Sequence, residues 1–225
     1  MSPFTERLIN VVLAVSALMI ATTFAIREFR PDGPQPPVGR LAPPEFQAEW
    51  KEYLSAGIEL GAPTAPTVLM VFNDFECGGC RFFHERLITK LRDRGDLSIR
   101  LLHLPLRSHR FAPSAARAAE CADVQGGIHG MVAAIFAKQD SLGLKSWRSY
   151  GEEAGLSNVD RFQDCVTGDQ PFERITAGTR IAEHLSVNAT PTLMLNGWLF
   201  RGLPNEEQLL AAIEAVKEGK PPTFD

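Results

Sequence analysis

The sequence predicts an α/β domain in which a βαβ unit and a terminal ββα unit are separated by an inserted, mainly helical subdomain from about 107 to 187, with an apolar segment in front of the whole. Three observations predict it. Val68–Phe72 is a short β-rich apolar run that passes through Asn73 and Asp74 directly into a helical periodicity. Leu97–Leu104 is a second such run, ended by Pro105 and placed to pair in parallel with the first across the intervening helix. Near the C-terminus, Thr192–Leu195 and Trp198–Arg201 flank Asn196-Gly197, a tight-turn pair, and a last helical stretch follows.

Taken in order, the chain begins with Leu8–Ile26, nineteen residues without a charge. A helix of that length spans about 28 Å, close to the hydrocarbon thickness of a bilayer, so an uncleaved membrane anchor is the favoured reading. Thr23-Phe24-Ala25 keeps a cleaved signal open, and a buried soluble helix is the third reading. Arg7 on one side and Arg27 and Arg30 on the other leave the orientation weakly encoded. Phe29–Pro44 is rich in proline and reads as a semi-rigid spacer. The predicted organisation is therefore 1–28 anchor or signal, 29–44 linker and 45–225 folded domain.

Within that domain, Phe46, Trp50, Tyr53 and Leu54 share a helical face ended by Gly57, which predicts a short packing helix. Leu60–Pro63 is a turn into the first strand. Beyond Cys80, Phe82, Phe83, Leu87, Ile88 and Leu91 recur at helical spacing. Helices are predicted over Ala112–Val124, Ile128–Gln139, Trp147–Ala154, Val159–Val166 and Pro171–Leu185, with Pro171 suited to a first turn. Pro204–Glu218 is the last, closed by Gly219.

Composition excludes some functions. With 44% hydrophobic residues the chain can build one good core, and a net charge of −4 with no basic run argues against nucleic acid as a partner. Four cysteines are present. Cys77-Gly78-Gly79-Cys80 lies where the first strand gives way to the helix, so Cys77 should cap the helix and Cys80 sit one turn inside. Backbone N–H groups at that position favour a thiolate, and the two-residue spacer lets the pair switch between dithiol and disulfide. A redox couple is therefore the leading reading, with Cys77 attacking and Cys80 resolving. An inert structural pair and half of a zinc site are the alternatives. Zinc asks for about four ligands; Cys121 and Cys165 are not spaced as a second knuckle, and His84, His103, His109, His129 and His184 form no ligand pattern. No metal and no cofactor is expected.

Cys121 and Cys165 remain, on separate predicted helices of the insertion. Four cysteines allow three connectivities. The favoured one staples these two together; a second redox pair is the rival. Asp74 and Glu76 stand close to Cys77 in sequence and would raise its pKa if near it, although turn-forming, solvated roles fit equally well. His84 is expected to be an exposed helix histidine.

Four stretches carry a resemblance: Val71–Cys77 leading into the CxxC, His103-Leu104-Pro105-Leu106, Ala115–Ala122, and Val187-Asn188-Ala189-Thr190-Pro191-Thr192. On these the chain, from about Trp50 to Val216, resembles the DsbA-type thiol–disulfide oxidoreductases, the bacterial DsbA-like group of the thioredoxin superfamily. The resemblance implies a thioredoxin-like fold and a cis Thr190–Pro191 bond beside Cys77, with Thr190 and Pro191 binding an extended substrate segment. It further implies action on cysteines of exported proteins, a membrane or soluble redox partner, and a periplasmic-side location. Sequence alone leaves a trans proline equally open at position 191. Two departures stand out. The spacer is Gly78-Gly79 where oxidising members often carry proline and histidine, so less should favour the thiolate, and oxidant, reductant and isomerase all remain open. The acid that thioredoxins bury six residues before the first cysteine is Val71 here.

Overall fold

The computed structural model describes Ser16, Met19 and residues 42–224. The readings of Leu8–Ile26 as an anchor or signal, and of all but the last residues of the 29–44 linker, lie outside the described residues. Among the described residues no helix is long and apolar enough to cross a membrane.

A six-stranded sheet organises the domain. Its strands are β1 (Glu45–Phe46), β2 (Gly57–Glu59), β3 (Thr67–Asn73), β4 (Leu97–His103), β5 (Thr192–Leu195) and β6 (Trp198–Phe200), in the spatial order β1-β6-β5-β3-β4-β2. β3 and β4 run parallel, with Thr67 opposite Leu97 and Asn73 opposite His103, and the other pairings are antiparallel. β3 is buried along its whole length. Its alternate side chains enter two different cores: Leu69 and Val71 pack with the helices of one face, Val68, Met70 and Phe72 with Trp50, Tyr53, Leu185 and Leu199 on the other. A strand covered on both faces is continuously apolar rather than alternating, which is why β3 reads so clearly from sequence.

The cysteine-bearing helix α1 (Gly78–Phe83) runs into a π turn at His84–Ile88 and ends in a single α-turn, Thr89–Leu91. The insertion consists of α2 (Ala112–Asp123), α3 (Ile128–Ala137), α4 (Trp147–Glu153), α5 (Val159–Thr167) and α6 (Glu173–His184). After the β5–β6 hairpin comes α7 (Glu206–Lys217). Asn205 caps α7 reciprocally with Gln208, each side chain taking the other's backbone N–H at 2.9 and 3.0 Å. The hairpin turns on Asn196 and Gly197, both at positive φ.

Four details differ from the sequence reading. The segment after Glu45 is not one packing helix: Glu45–Phe46 and Gly57–Glu59 join the sheet edges around a 3₁₀ helix, Trp50–Ala56, and Phe46 is exposed. Strands of two and three residues are too short to show a period. Pro171 precedes α6, whose N-cap is Phe172. Phe82 turns to solvent at 56% exposure, and His84 is buried at 6%.

Candidate active site

β3 delivers the chain to Asn73, and the segment Asp74–Glu76 turns it into α1. Cys77 is the N-cap residue and is part-exposed; Cys80 is one turn in and 1% exposed. Both are free thiols. The Thr190–Pro191 bond is cis, and the loop carrying it lies directly against the pair. The Cys77 thiol donates to the Thr190 carbonyl at 3.2 Å. A Cβ added at Gly79 would come within 3.2 Å of Pro191 Cδ and 3.6 Å of Cys77 Sγ, whereas one at Gly78 would meet nothing within 4 Å. The second spacer glycine is thus what lets the proline loop close on the cysteines.

The electrostatics separate the two sulfurs. The Cys77 pKa is lowered to about 5. The Cys80 thiol, donating to the Cys77 sulfur, is the largest cause; Thr190 and the backbone N–H groups of Cys80 and Gly79 add to it, and together they outweigh burial. Cys80 moves the other way, because burial disfavours its thiolate and the neighbouring Cys77 sulfur opposes a second charge. The thiolate is favoured without a cation in the Gly78-Gly79 spacer, since its donors come from Cys80 and from the helix backbone. An acidic, accessible thiol beside a buried, protonated one can attack a disulfide, form a mixed disulfide and then be resolved from within.

Asp74 and Glu76 have other occupations. Asp74 is buried, and its carboxylate accepts from the backbone N–H groups of Glu76 and Leu106, both at 2.7 Å, and pairs with His109 Nδ1 at 2.8 Å. Glu76 accepts from the backbone N–H of Phe111 at 2.6 Å and of Ala112 at 3.1 Å, at the start of α2. Gln139, after α3, donates to the carbonyls of Phe75 and Cys77 at 2.8 and 3.0 Å. The segment before Cys77 is therefore fastened to both ends of the insertion's first helical pair. These anchors were not visible in the sequence, because each joins residues more than thirty positions apart and most use a backbone group on one side.

Cys121 and Cys165 form a disulfide with their Cα atoms 5.8 Å apart, joining α2 to α5 away from the active pair. Arg117 reinforces the same junction, donating to the carbonyls of Cys165 and Val166 at 2.9 Å and of Gln170 at 2.7 Å. A second polar cluster ties α2 to β4 and α6: Glu120 is buried, meets His103 Nε2 at 2.9 Å and accepts from Arg174 at 2.6 Å. Burial pushes the Glu120 carboxyl up, but His103 and Arg174 outweigh it and hold it below the usual carboxylate range. Among the described residues no group of three or more His, Cys, Asp and Glu side chains could hold a metal ion.

The sequence model of the family described as Thioredoxin matches residues 54–215. Among solved structures, BdbD from Bacillus subtilis superposes with a TM-score of 0.65 at 15% identity, covering 80% of this chain and 98% of that one. DsbA2 of Pseudomonas aeruginosa gives 0.53 at 27% identity, over 70% of this chain and 92% of that one. Among curated proteins, a Na(+)/H(+) antiporter, NhaA 1, of Mycolicibacterium gilvum (strain PYR-GCK) is 35% identical over 159 residues, 69% of this chain and 26% of the antiporter. The chain thus spans about a quarter of the length of the curated relatives it matches.

Proposed function

The chain belongs to the thioredoxin family, in a DsbA-like form of its fold, and from that premise we propose that it is a thiol–disulfide oxidoreductase acting on cysteines of exported proteins. The observation that carries this reading is the asymmetric pair: an accessible Cys77 whose pKa is lowered to about 5, resting on the cis Thr190–Pro191 loop, over a buried Cys80. In the oxidising direction a client thiolate attacks the Cys77–Cys80 disulfide at Cys77. A bond forms between the client sulfur and Cys77, and the electron pair of the broken bond stays on Cys80. A second client thiolate then displaces Cys77, which leaves as the stabilised thiolate. The client gains a disulfide and the enzyme is reduced. Thr190 and Pro191 would hold the client as an extended segment, chiefly through backbone contacts.

The acidity of Cys77 also bears on direction. Whatever stabilises the thiolate stabilises the reduced pair and makes its disulfide more oxidising, which favours donation of disulfides to clients. The second reading is a reductase or isomerase fed by a membrane electron carrier; a reductase requires a couple near thioredoxin's potential of about −270 mV, and an oxidant one far above it, near about −120 mV. A non-catalytic client-binding module would leave the acidity of Cys77 without a use. Leu8–Ile26 as an anchor, 29–44 as a spacer and 45–225 as the enzyme would place the site on the periplasmic side of the membrane. Cys121–Cys165 would serve as a structural staple. Transport by the antiporter relatives is not carried over, since the chain matches only about a quarter of their length. The test is oxidative refolding of reduced ribonuclease by the oxidised protein and by its Cys77→Ala variant. The variant should lose activity; retained activity removes the mechanism.

A further inference from the structure

The resolving cysteine is sealed from solvent, yet each exchange requires it to gain or lose a proton. Cys80 lines a small cavity of about 10 Å³ together with Val71, Asn73, His84 and Ile88. That is about one water molecule. Two polar side chains line it and are left unsatisfied by the protein: Asn73 Nδ2 and His84 Nε2 are buried and have no hydrogen-bond partner among the described residues, their residues being 4% and 6% exposed. A buried donor or acceptor without a partner costs about 1–3 kcal/mol, so two at one cavity that also holds a thiol call for a common partner. Val71, where thioredoxins bury an acid, lines the same cavity and supplies no proton acceptor.

We propose that this cavity holds one ordered water, fixed by Asn73 and His84 against Cys80, and that this water carries the proton of the resolving cysteine. The inference rests on the redox reading of the pair. Asn73 Nδ2 donates to the water oxygen, and the water's two hydrogens serve His84 Nε2 and the Cys80 sulfur. When Cys80 leaves as a thiolate it takes a proton from the water, which regains one from solvent while Asn73 Nδ2 and His84 Nε2 keep it in place. In reverse, the Cys80–H bond yields its proton through the water to solvent, the sulfur attacks Cys77 in the mixed disulfide, a Cys77–Cys80 bond forms and the client sulfur departs with the electron pair. His84 is suited to accept the water's hydrogen bond, not its proton, because it is neutral: burial, then Arg92 and His129, lower its pKa to about 4. Its ring lies tilted by 33° against that of Phe136 with centroids 5.0 Å apart, and it opens the π turn, a departure from α geometry often found at functional sites. Asn73 and His84 are thus positioning residues for the proton step.

Reaction of the fully reduced protein with the chromogenic disulfide dithiobis(nitrobenzoate) separates the two steps. The first nitrothiobenzoate is released when Cys77 attacks, the second when Cys80 resolves the mixed disulfide. In His84→Leu the second release should slow about tenfold, the range of one lost hydrogen bond to the proton carrier, while the first stays within about twofold. Adding Val71→Asp to that variant, which returns a carboxyl to the cavity, should restore the second release. His84→Gln, which keeps a polar end in the cavity, should fall between. An unchanged second release in His84→Leu overturns the proposal, as does an equal slowing of both releases in His84→Leu and His84→Gln. If the wild-type protein gives no Cys77-dependent first release, it is the redox reading itself that fails.

Discussion

At the scale of single residues, Cys77 draws its acidity chiefly from its own partner. The Cys80 thiol is the leading donor to the Cys77 sulfur, and it can act as one only while burial keeps it protonated. One burial thus does two things: it silences Cys80 and activates Cys77. A folded pKa of about 5 against an ordinary thiol value of 9 means the sulfur is a thiolate above pH 5 and a thiol below it. Alkylation of Cys77 by iodoacetamide should therefore rise with pH about a midpoint near 5, and in Cys80→Ala that midpoint should move toward 9. Because the folded pKa is depressed, the thiolate stabilises the reduced protein at pH values above the unfolded pKa. That contribution is lost as pH falls through 5. The CxxC and its likeness to a redox pair were legible from spacing. The acidity was not, because sequence shows the spacer and hides the donors. His84 was misread for a different reason: positions 80, 83, 84, 87, 88 and 91 form one buried stripe, and polarity drew attention away from that period.

At the scale of elements, the strands buried on both faces and the long helices could be read from the sequence, and the pieces that close the sheet could not. β1 and β2 are stabilised by pairing with β6 and β4 rather than by any pattern of their own. The π turn likewise leaves no mark in composition. The close approach of α6 to β4 depends on one missing side chain. A Cβ at Gly178 in α6 would lie 2.3 Å from the His103 carbonyl oxygen of β4, so the helix backbone can reach the strand only because position 178 has none. Gly178→Ala should destabilise the fold by about 1–3 kcal/mol, the usual cost of overpacking, read as a lower denaturant midpoint. The redox assay should follow stability rather than fall on its own.

At the scale of the whole molecule, the insertion is braced within itself by a covalent bond and is tied to the sheet and to the cysteine-bearing segment by hydrogen bonds at separate places. Removing the Cys121–Cys165 bond frees a loop of 44 residues in the unfolded chain and should cost about 4 kcal/mol in the chain-entropy model. Chemical denaturation of the Cys121→Ala, Cys165→Ala double variant measures it. Client oxidation by that variant should persist under conditions where it remains folded, since the bond lies away from Cys77. Persistence would separate a staple from a second redox pair.

The clamp at Asp74 and Glu76 has a consequence for how the sequence can drift. Both carboxylates accept from backbone N–H groups in the insertion, at Leu106, Phe111 and Ala112. The demands on the two sides are therefore unequal. The acids must keep their carboxylates, whereas position 106 and positions 111 and 112 may exchange side chains freely so far as this clamp is concerned, provided none becomes proline, the one residue with no N–H to give. The cysteine-bearing segment is the conservative party in that contract, and the loop opposite is free to diversify.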